Sequence, residues 1–353
     1  GRIMGKLKKL TGYRLFLPLS CLIIVLLINL ITTPTFFRIT INNGVLYGYI
    51  IDVINRASEL VVLAVGMTLV VSASAGTDIS VGAVMAVAAA VCTRVLAGGE
   101  VSVNEYANPY VLAVLAALAA AVVCGGFNGF LVAKLKIQPM VATLILFTAG
   151  RGISQLVTNG QITYIRVDGY KLLGNNIPGI PIPTPIFVAV IVVALTYILL
   201  KKTAMGMYIQ SVGINERASR LVGLKSVKII WMAYAFCGLC AGIAGLVASS
   251  RIYSADANNI GLNMELDAIA AVALGGNSLG GGRFSLLGSV IGAYTIQALT
   301  TTLYAMSVPA DQIPVYKAIV VILIVAVQSE ELKKFRKRLA SRHSSKNVEG
   351  GVA

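Results

Sequence analysis

Ile229–Ser250 reads IIWMAYAFCGLCAGIAGLVASS, 22 residues without one charge. About 20 apolar residues suffice to cross the hydrocarbon layer of a bilayer as an α-helix, so this stretch predicts a membrane span. Gly238 and Gly242 are spaced four apart within it, a pattern that lets helix backbones approach closely in lipid. Gly125 with Gly129 and Gly288 with Gly292 repeat it. Cys237 and Cys240 spell CxxC, but a redox pair needs a thiolate stabilised at a helix N-terminus, and these lie mid-span. They are read as small packing residues.

Four further runs, Leu15–Phe37, Tyr106–Ala133, Leu172–Leu200 and Phe284–Ala310, are equally uncharged and longer still. The whole chain of 353 residues is 57% hydrophobic and 12% charged, whereas globular domains carry about 25% charged residues. So few polar side chains cannot coat a water-exposed surface, which excludes a soluble enzyme. The first run is longer than a signal-peptide core and lacks a small-residue cleavage site before Pro34, so it is expected to be an uncleaved span.

The net charge of +15 would suggest a nucleic-acid partner if the cations shared one folded face. They do not. They concentrate at the N-terminus (Arg2, Lys6, Lys8, Lys9, Arg14), between Lys201 and Lys228, and in the tail from Lys333 to Lys346. This is how cytoplasmic segments are marked by the positive-inside rule, and no nucleic acid is expected. All five cysteines fall in apolar runs, and the single His343 lies in the tail, so neither a disulfide framework nor a metal centre is expected.

Taken in order, the apolar pattern predicts about ten spans: Leu15–Ile31, Asp52–Ala75, Val81–Val95, Tyr110–Ala133, Pro139–Val157, Ile186–Leu200, Ile229–Ala248, Ala268–Leu274, Phe284–Leu303 and Val315–Val327. An even number returns both termini to the cytoplasm and places 21 of the 29 Lys and Arg there. The expected organisation is a single all-α transmembrane domain over 1–353. It has a cytoplasmic N-terminus (1–14), a cytoplasmic coupling segment (201–228) and a cytoplasmic basic tail (330–353).

Three places carry functional candidates. The first is a pair of interruptions, Ala75–Gly82 (AGTDISVG) and Gly275–Arg283 (GGNSLGGGR), each followed by a small-residue helix. Unwound backbone at membrane depth is tolerated only where it lines a cavity or is buried in protein; the alternative is that both are ordinary turns. The second is the face bearing Phe147, Arg151 and Gln155, one helical turn apart. An aromatic ring, a guanidinium and an amide suit a sugar's ring face and hydroxyls, while snorkelling of Arg151 or its pairing with a buried acid is the plainer reading. Asn128 and Thr143 join them as candidate pathway residues.

The third is the segment Gly213–Gly223. Asn215 is placed to cap a helix over Glu216–Val222 that Gly223 ends. Ala218, Leu221 and Val222 beside Glu216, Arg217 and Arg220 make it amphipathic, suited to a groove on a partner protein.

Four stretches together carry a resemblance: AGTDISVGAVMA from Ala75, NGFLVAKLKIQPMVATLILFTAGRGISQLVTNGQ from Asn128, KTAMGMYIQSVGINERAS from Lys202 and ELDAIAAVALGGNSLGGGRF from Glu265. Over roughly Ile51–Gln328 the chain resembles the permease subunit of bacterial ATP-binding-cassette sugar importers of the ribose, xylose and galactofuranose group. The stretch ending in Gln161 and the SADANN run from Ser254 look most like the galactofuranose type. Where that family has Gly-Gly-Ile-Asp this chain has Ala75-Gly76-Thr77-Asp78, and where it has Ala-Ala this chain has Ala218-Ser219.

The resemblance implies an inner-membrane permease similar in fold to the vitamin B12 importer permease. It also implies a second copy of the chain, two cytoplasmic ATP-binding subunits, a periplasmic sugar-binding protein, and ATPase coupling through Gly213, Asn215, Glu216, Arg217, Ala218, Arg220 and Gly223. No GxxxxGK[ST] occurs, so ATP and Mg would sit on the partner ATPase. The rival is an ion-coupled secondary transporter of a small polar solute, which would want acids buried mid-span. A membrane enzyme would want a cluster of His, Asp or Cys.

Overall fold

The structure, a computed structural model, describes residues 15–329 together with 331, 332, 334, 335 and 338. The expected cytoplasmic N-terminus (1–14) and most of the basic tail, including His343, lie outside the described residues.

The chain folds as a bundle of helices: α1 Phe16–Thr32, α2 Tyr49–Ser74, α3 Val81–Ala97, α4 Tyr110–Gly129, α5 Pro139–Val157, α6 Thr184–Lys202, α7 Met205–Ile214, α8 Glu216–Leu221, α9 Ser226–Ile252, α10 Met264–Leu274, α11 Leu286–Ala305 and α12 Ile313–Gln328. Local chemistry sets several of these limits. Pro139, Pro185 and Pro314 stand in the first turns of α5, α6 and α12, where a missing N–H costs nothing. Gly98 ends α3 in the left-handed conformation, with its N–H on the Arg94 carbonyl.

Each expected span coincides with a helix, but the helices differ in length and apolarity. Among the described residues, six helices are long and apolar enough to span a membrane: α2, α4 with the π-turn Phe130–Lys134, α5, α6, α9 and α11. Helices α1, α3 and α12 are apolar but shorter. The expected eighth span is the 11-residue α10. At 1.5 Å per residue it covers about 16 Å, roughly half of a hydrocarbon core. The second helix also starts earlier than the pattern suggested, at Tyr49 rather than Asp52, because Gly48 turns the chain immediately before it.

Two small sheets were not foreseen: an antiparallel hairpin, β1 Thr40–Asn42 with β2 Val45–Tyr47, and a three-stranded patch of β3 Ser102–Val103, β4 Thr163–Ile165 and β5 Ser254–Ala255. Strands of two or three residues are too short to show an alternating pattern in sequence.

Helix α2 is the central post, its apolar window 94% buried, against 28% for each of α4, α5 and α6. It packs on α9, α11, α6 and α10. Small residues set the closest approaches. A Cβ on Gly238 would stand 2.5 Å from the Ala121 carbonyl oxygen, and one on Gly125 2.5 Å from that of Tyr234, so α4 and α9 touch backbone to backbone. Cys237 and Cys240 are buried free thiols against Gly66 of α2, the packing role their mid-span position predicted.

Candidate functional site

The segment Met205–Leu224 leaves the end of α6 as two short helices. Asn215 leaves helical geometry (φ −155°, ψ 99°), and its side-chain oxygen accepts the Ala218 N–H at 3.0 Å, which starts α8. The helix ends at Leu221, one residue before the expected Val222, and Gly223 (φ +92°) makes the left-handed turn beyond it.

Glu216 is the hub. Its Oε1 accepts from Lys136 Nζ at 2.5 Å, Arg220 Nη2 at 2.8 Å and Ser226 Oγ at 3.1 Å, tying α8 to the loop after α4 and to the start of α9. Partial burial works against its ionisation. The Lys136 ammonium, the Ser226 hydroxyl and the Arg220 guanidinium outweigh that and hold the carboxyl below the usual glutamate range.

Around this hub, Arg217, Ala218 and Arg220 are exposed, and the apolar Leu221 and Val222 are 88% and 78% exposed. Gly213 lies on the opposite side. A Cβ there would fall 1.7 Å from the Ser72 carbonyl oxygen at the end of α2 and 2.7 Å from the Gly282 nitrogen. Helix α7 is thereby pressed against the end of α2 and the second interruption at once.

Those interruptions are not loose turns. Ser80 and Asp78 are buried, and Asp78 Oδ1 accepts from the Ser80 N–H at 2.8 Å and from its hydroxyl at 2.6 Å. In the second break Asn277 is buried: its Oδ1 accepts the Ser285 N–H at 2.6 Å, and its amide donates to the Ser289 hydroxyl, which Thr68 of α2 also contacts. The second break reaches the end of α2: the Gly282 N–H donates to the Ser72 carbonyl at 3.0 Å, and a Cβ on Gly281 would stand 3.0 Å from the Cβ of Ala75, the first residue of the other break.

The five expected pathway residues divide into two groups. Asn128 and Thr143 are fully buried and hold the first break: Asn128 donates to Ser80 Oγ at 2.8 Å, and Thr143 Oγ1 accepts the Ile79 N–H at 3.2 Å. Phe147, Arg151 and Gln155 share the expected face of α5. Phe147 is exposed, while Arg151 donates to the Ala257 and Ile260 carbonyls and Gln155 to the Asn258 side chain. Arg151 clamps the segment joining α9 to α10 and, among the described residues, is in no salt bridge.

Sequence reasoning missed a second polar centre. Glu59 of α2, only 8% exposed, pairs with Arg251 at the end of α9 (Nη2 2.6 Å, Nε 3.0 Å), and the same guanidinium donates to the Asn55 carbonyl. Lys317 of α12 pairs with Asp267 of α10 at 3.1 Å. A signal existed: Glu59 stands inside an expected span, where an ionised group needs a partner. Among the described residues no group of His, Cys, Asp or Glu is arranged to hold a metal.

With this geometry established, known proteins give it a family. The model of the branched-chain amino acid transport system / permease component family matches residues 49–328. The chain belongs to this permease family.

The permease is 44% identical to the galactofuranose transporter permease protein YtfT of Escherichia coli (strain K12), over 92% of both chains. It is 37% identical to the fructose import permease protein FruF of Bifidobacterium longum, covering 98% of this chain and 96% of that one. The ribose import permease protein RbsC of Escherichia coli (strain K12) is 35% identical, over 88% and 93%. No solved structure matches the permease.

Proposed function

We propose that this permease is the membrane subunit of an ATP-driven importer that moves a monosaccharide, galactofuranose or a similar sugar, into the cytoplasm. Its relatives' names point to sugars. The observation that carries the mechanism is the α7–α8 segment, which exposes an apolar and basic surface on one side and touches both broken helices on the other.

In this reading the ATP and Mg belong to two cytoplasmic ATP-binding subunits that dock on α8, a periplasmic binding protein delivers the sugar, and two copies of the permease form the pathway between them. The chain acts as one domain with about ten crossings, both termini inside, in the inner membrane, arranged like the vitamin B12 importer permease. Motion of the ATPases would be taken up by α8 at Glu216, Arg217, Ala218 and Arg220. It would pass through Asn215, Gly213 and Gly223 to the breaks, and open the bundle near Asn128, Thr143, Phe147, Arg151 and Gln155. A rigid, hydrogen-bonded lever suits that task better than a flexible loop.

Co-purification of the tagged permease with its neighbours, followed by sugar uptake in proteoliposomes, tests the reading. An ATPase should accompany it, and Glu216→Ala or Arg220→Ala should uncouple ATP hydrolysis from uptake. Normal uptake in those variants would remove the coupling role. A cysteine placed at position 216 that reacts with an impermeant reagent from outside intact cells would overturn the proposed sidedness.

The ion-coupled rival is favoured by one observation: Asp78 is buried and, among the described residues, in no ion pair. Uptake that collapses with an ionophore while ATP remains would choose that rival.

A further inference from the structure

Helix α7 presses on the end of α2 and on the second break. The first break is reached from α8 along another line, which runs past the end of α4. Lys136 donates from its exposed ammonium to Glu216 of α8 at 2.5 Å. Three residues later Pro139 opens α5, and its ring abuts the first break: a Cβ on Gly76 would fall 2.3 Å from the Pro139 Cβ. The far side of the same break is held by Asn128 of α4, which donates to the Ser80 hydroxyl at 2.8 Å.

Between these contacts the chain is held in uncommon geometry. Phe130–Lys134 is a π-turn, closed by the Leu135 N–H on the Phe130 carbonyl at 3.2 Å, one residue further along than α-helical pairing would reach. Lys136 follows at φ +57°, a left-handed conformation that side chains other than glycine rarely adopt. Asn128 is fully buried, and its Oδ1 has no hydrogen-bond partner among the described residues. Backbone strain and an unanswered buried acceptor persist only where surrounding contacts impose them, and they gather where a structure passes between two arrangements.

One side chain anchors the near end of this turn. Trp231, the single tryptophan of the chain, lies on α9 five residues after Ser226, which bonds Glu216. Its indole N–H donates to the Gly126 carbonyl at 3.0 Å. The ring occupies a notch that two glycines leave open: a Cβ on Gly129 would stand 3.0 Å from its Cδ1, and one on Gly126 3.2 Å from its Cζ2. The last α-helical turn of α4 is thus fixed just before the π-turn begins, while Lys136 is tied to α8 just after it ends.

We propose that this π-turn is the joint through which α8 acts on the first break, with Lys136 and Trp231 as its positioning residues. Displacement of α8 draws Lys136 along with Glu216, and because Trp231 holds α4, the change falls on residues 130–136, where the π-turn can close to α-helical pairing. The first break is then worked between a moving Pro139 at Gly76 and a held Asn128 at Ser80. The inference rests on the transport reading above and deepens it.

The test labels the full permease with 5-fluorotryptophan, which gives one fluorine resonance because Trp231 is alone. Its ring touches Gly129, the residue before the turn, so the resonance reads the state of the turn. In the permease alone, in lipid nanodiscs, Lys136→Met and Gly129→Ala should each shift it, and Lys136→Arg, which keeps the cation, should leave it in place and controls for folding. In a complex assembled with unlabelled partners, ATP should move the wild-type resonance. Lys136→Met should abolish that movement and lower sugar uptake per ATP hydrolysed by at least about fivefold, the low end of ordinary coupling between sites, and Lys136→Arg should restore both.

An unchanged resonance in Lys136→Met without partners would overturn the joint, as would wild-type uptake per ATP in that variant. If the assembled wild-type complex imports no sugar, the transport reading fails by itself, and the spectra of the permease alone still decide whether Lys136 and Trp231 set the turn.

Discussion

Helix α9 joins two polar centres that are built on opposite plans. At its first residue, Ser226 helps hold Glu216 in a cluster that is half open to solvent, with Arg220 and Lys136 exposed around it. At its last turn, Arg251 holds Glu59 in a buried pair with a second bond to the Asn55 carbonyl. An exposed cluster gains little net energy because water competes for every charge, so it can be remade when a partner docks. A buried pair gains little net energy either, because desolvation offsets attraction, but neither partner can be removed alone. One end is suited to exchange contacts and the other to hold α2 and α9 in register.

The largest expected effect tests that difference at the buried end. Glu59→Ala leaves the Arg251 guanidinium without its counter-charge and should destabilise the permease by ~3–5 kcal/mol. Replacing both partners, Glu59→Leu with Arg251→Met, should recover most of that loss, because well-packed apolar groups substitute for a buried pair at little cost. Thermal unfolding of the single and double variants in detergent measures it. A single variant as stable as the wild type would show that the pair does not hold the helices together.

How readily each end could be read from the sequence follows from the same contrast. The α8 cluster is local: Asn215, Glu216, Arg220 and Gly223 lie within nine residues, so cap, hub, i,i+4 partner and stop signal can be recognised without a fold. The Glu59–Arg251 pair spans 192 positions, and no local periodicity connects them. Asn128 and Thr143 stand among the candidate pathway residues, yet their bonds to Ser80 and Ile79 depend on α4 and α5 packing beside the first break. The membrane helices were legible because length and apolarity are local properties. The half-length α10 was legible only as a weak run, since nothing in Ala268–Leu274 says where the chain turns back.

Between the two ends, Gly213 carries the contact with the end of α2 and with the second break. Gly213→Ala would put a methyl group 1.7 Å from the Ser72 carbonyl, so α7 must shift. Overpacking of this kind costs ~1–3 kcal/mol. The sharper expectation concerns transport: uptake should fall further than stability accounts for, because the shift moves α8 relative to both breaks. Uptake measured alongside the unfolding midpoint separates the two. Proportional losses would mean that Gly213 only packs. Asn215→Ala removes the cap of α8 and should cost ~1 kcal/mol, most of it local, visible as faster amide exchange over Glu216–Leu221.

The smallest effect comes from the exposed cluster and carries a sign. Glu216 is held below its ordinary value of 4.5 by Lys136, Ser226 and Arg220. A depressed carboxyl contributes stability in full above its unfolded value and loses it as pH falls through the lower folded value. The cluster should therefore be unchanged from pH 8 to pH 5 and loosen only under more acidic conditions. As an exposed arrangement it is worth under ~1 kcal/mol, and salt should weaken it. Glu216→Gln should remove the acid-side dependence of amide exchange in α8 while leaving the Glu59 end untouched. If the buried end responded equally, the two centres would be one coupled network and the separation along α9 would have no mechanical meaning.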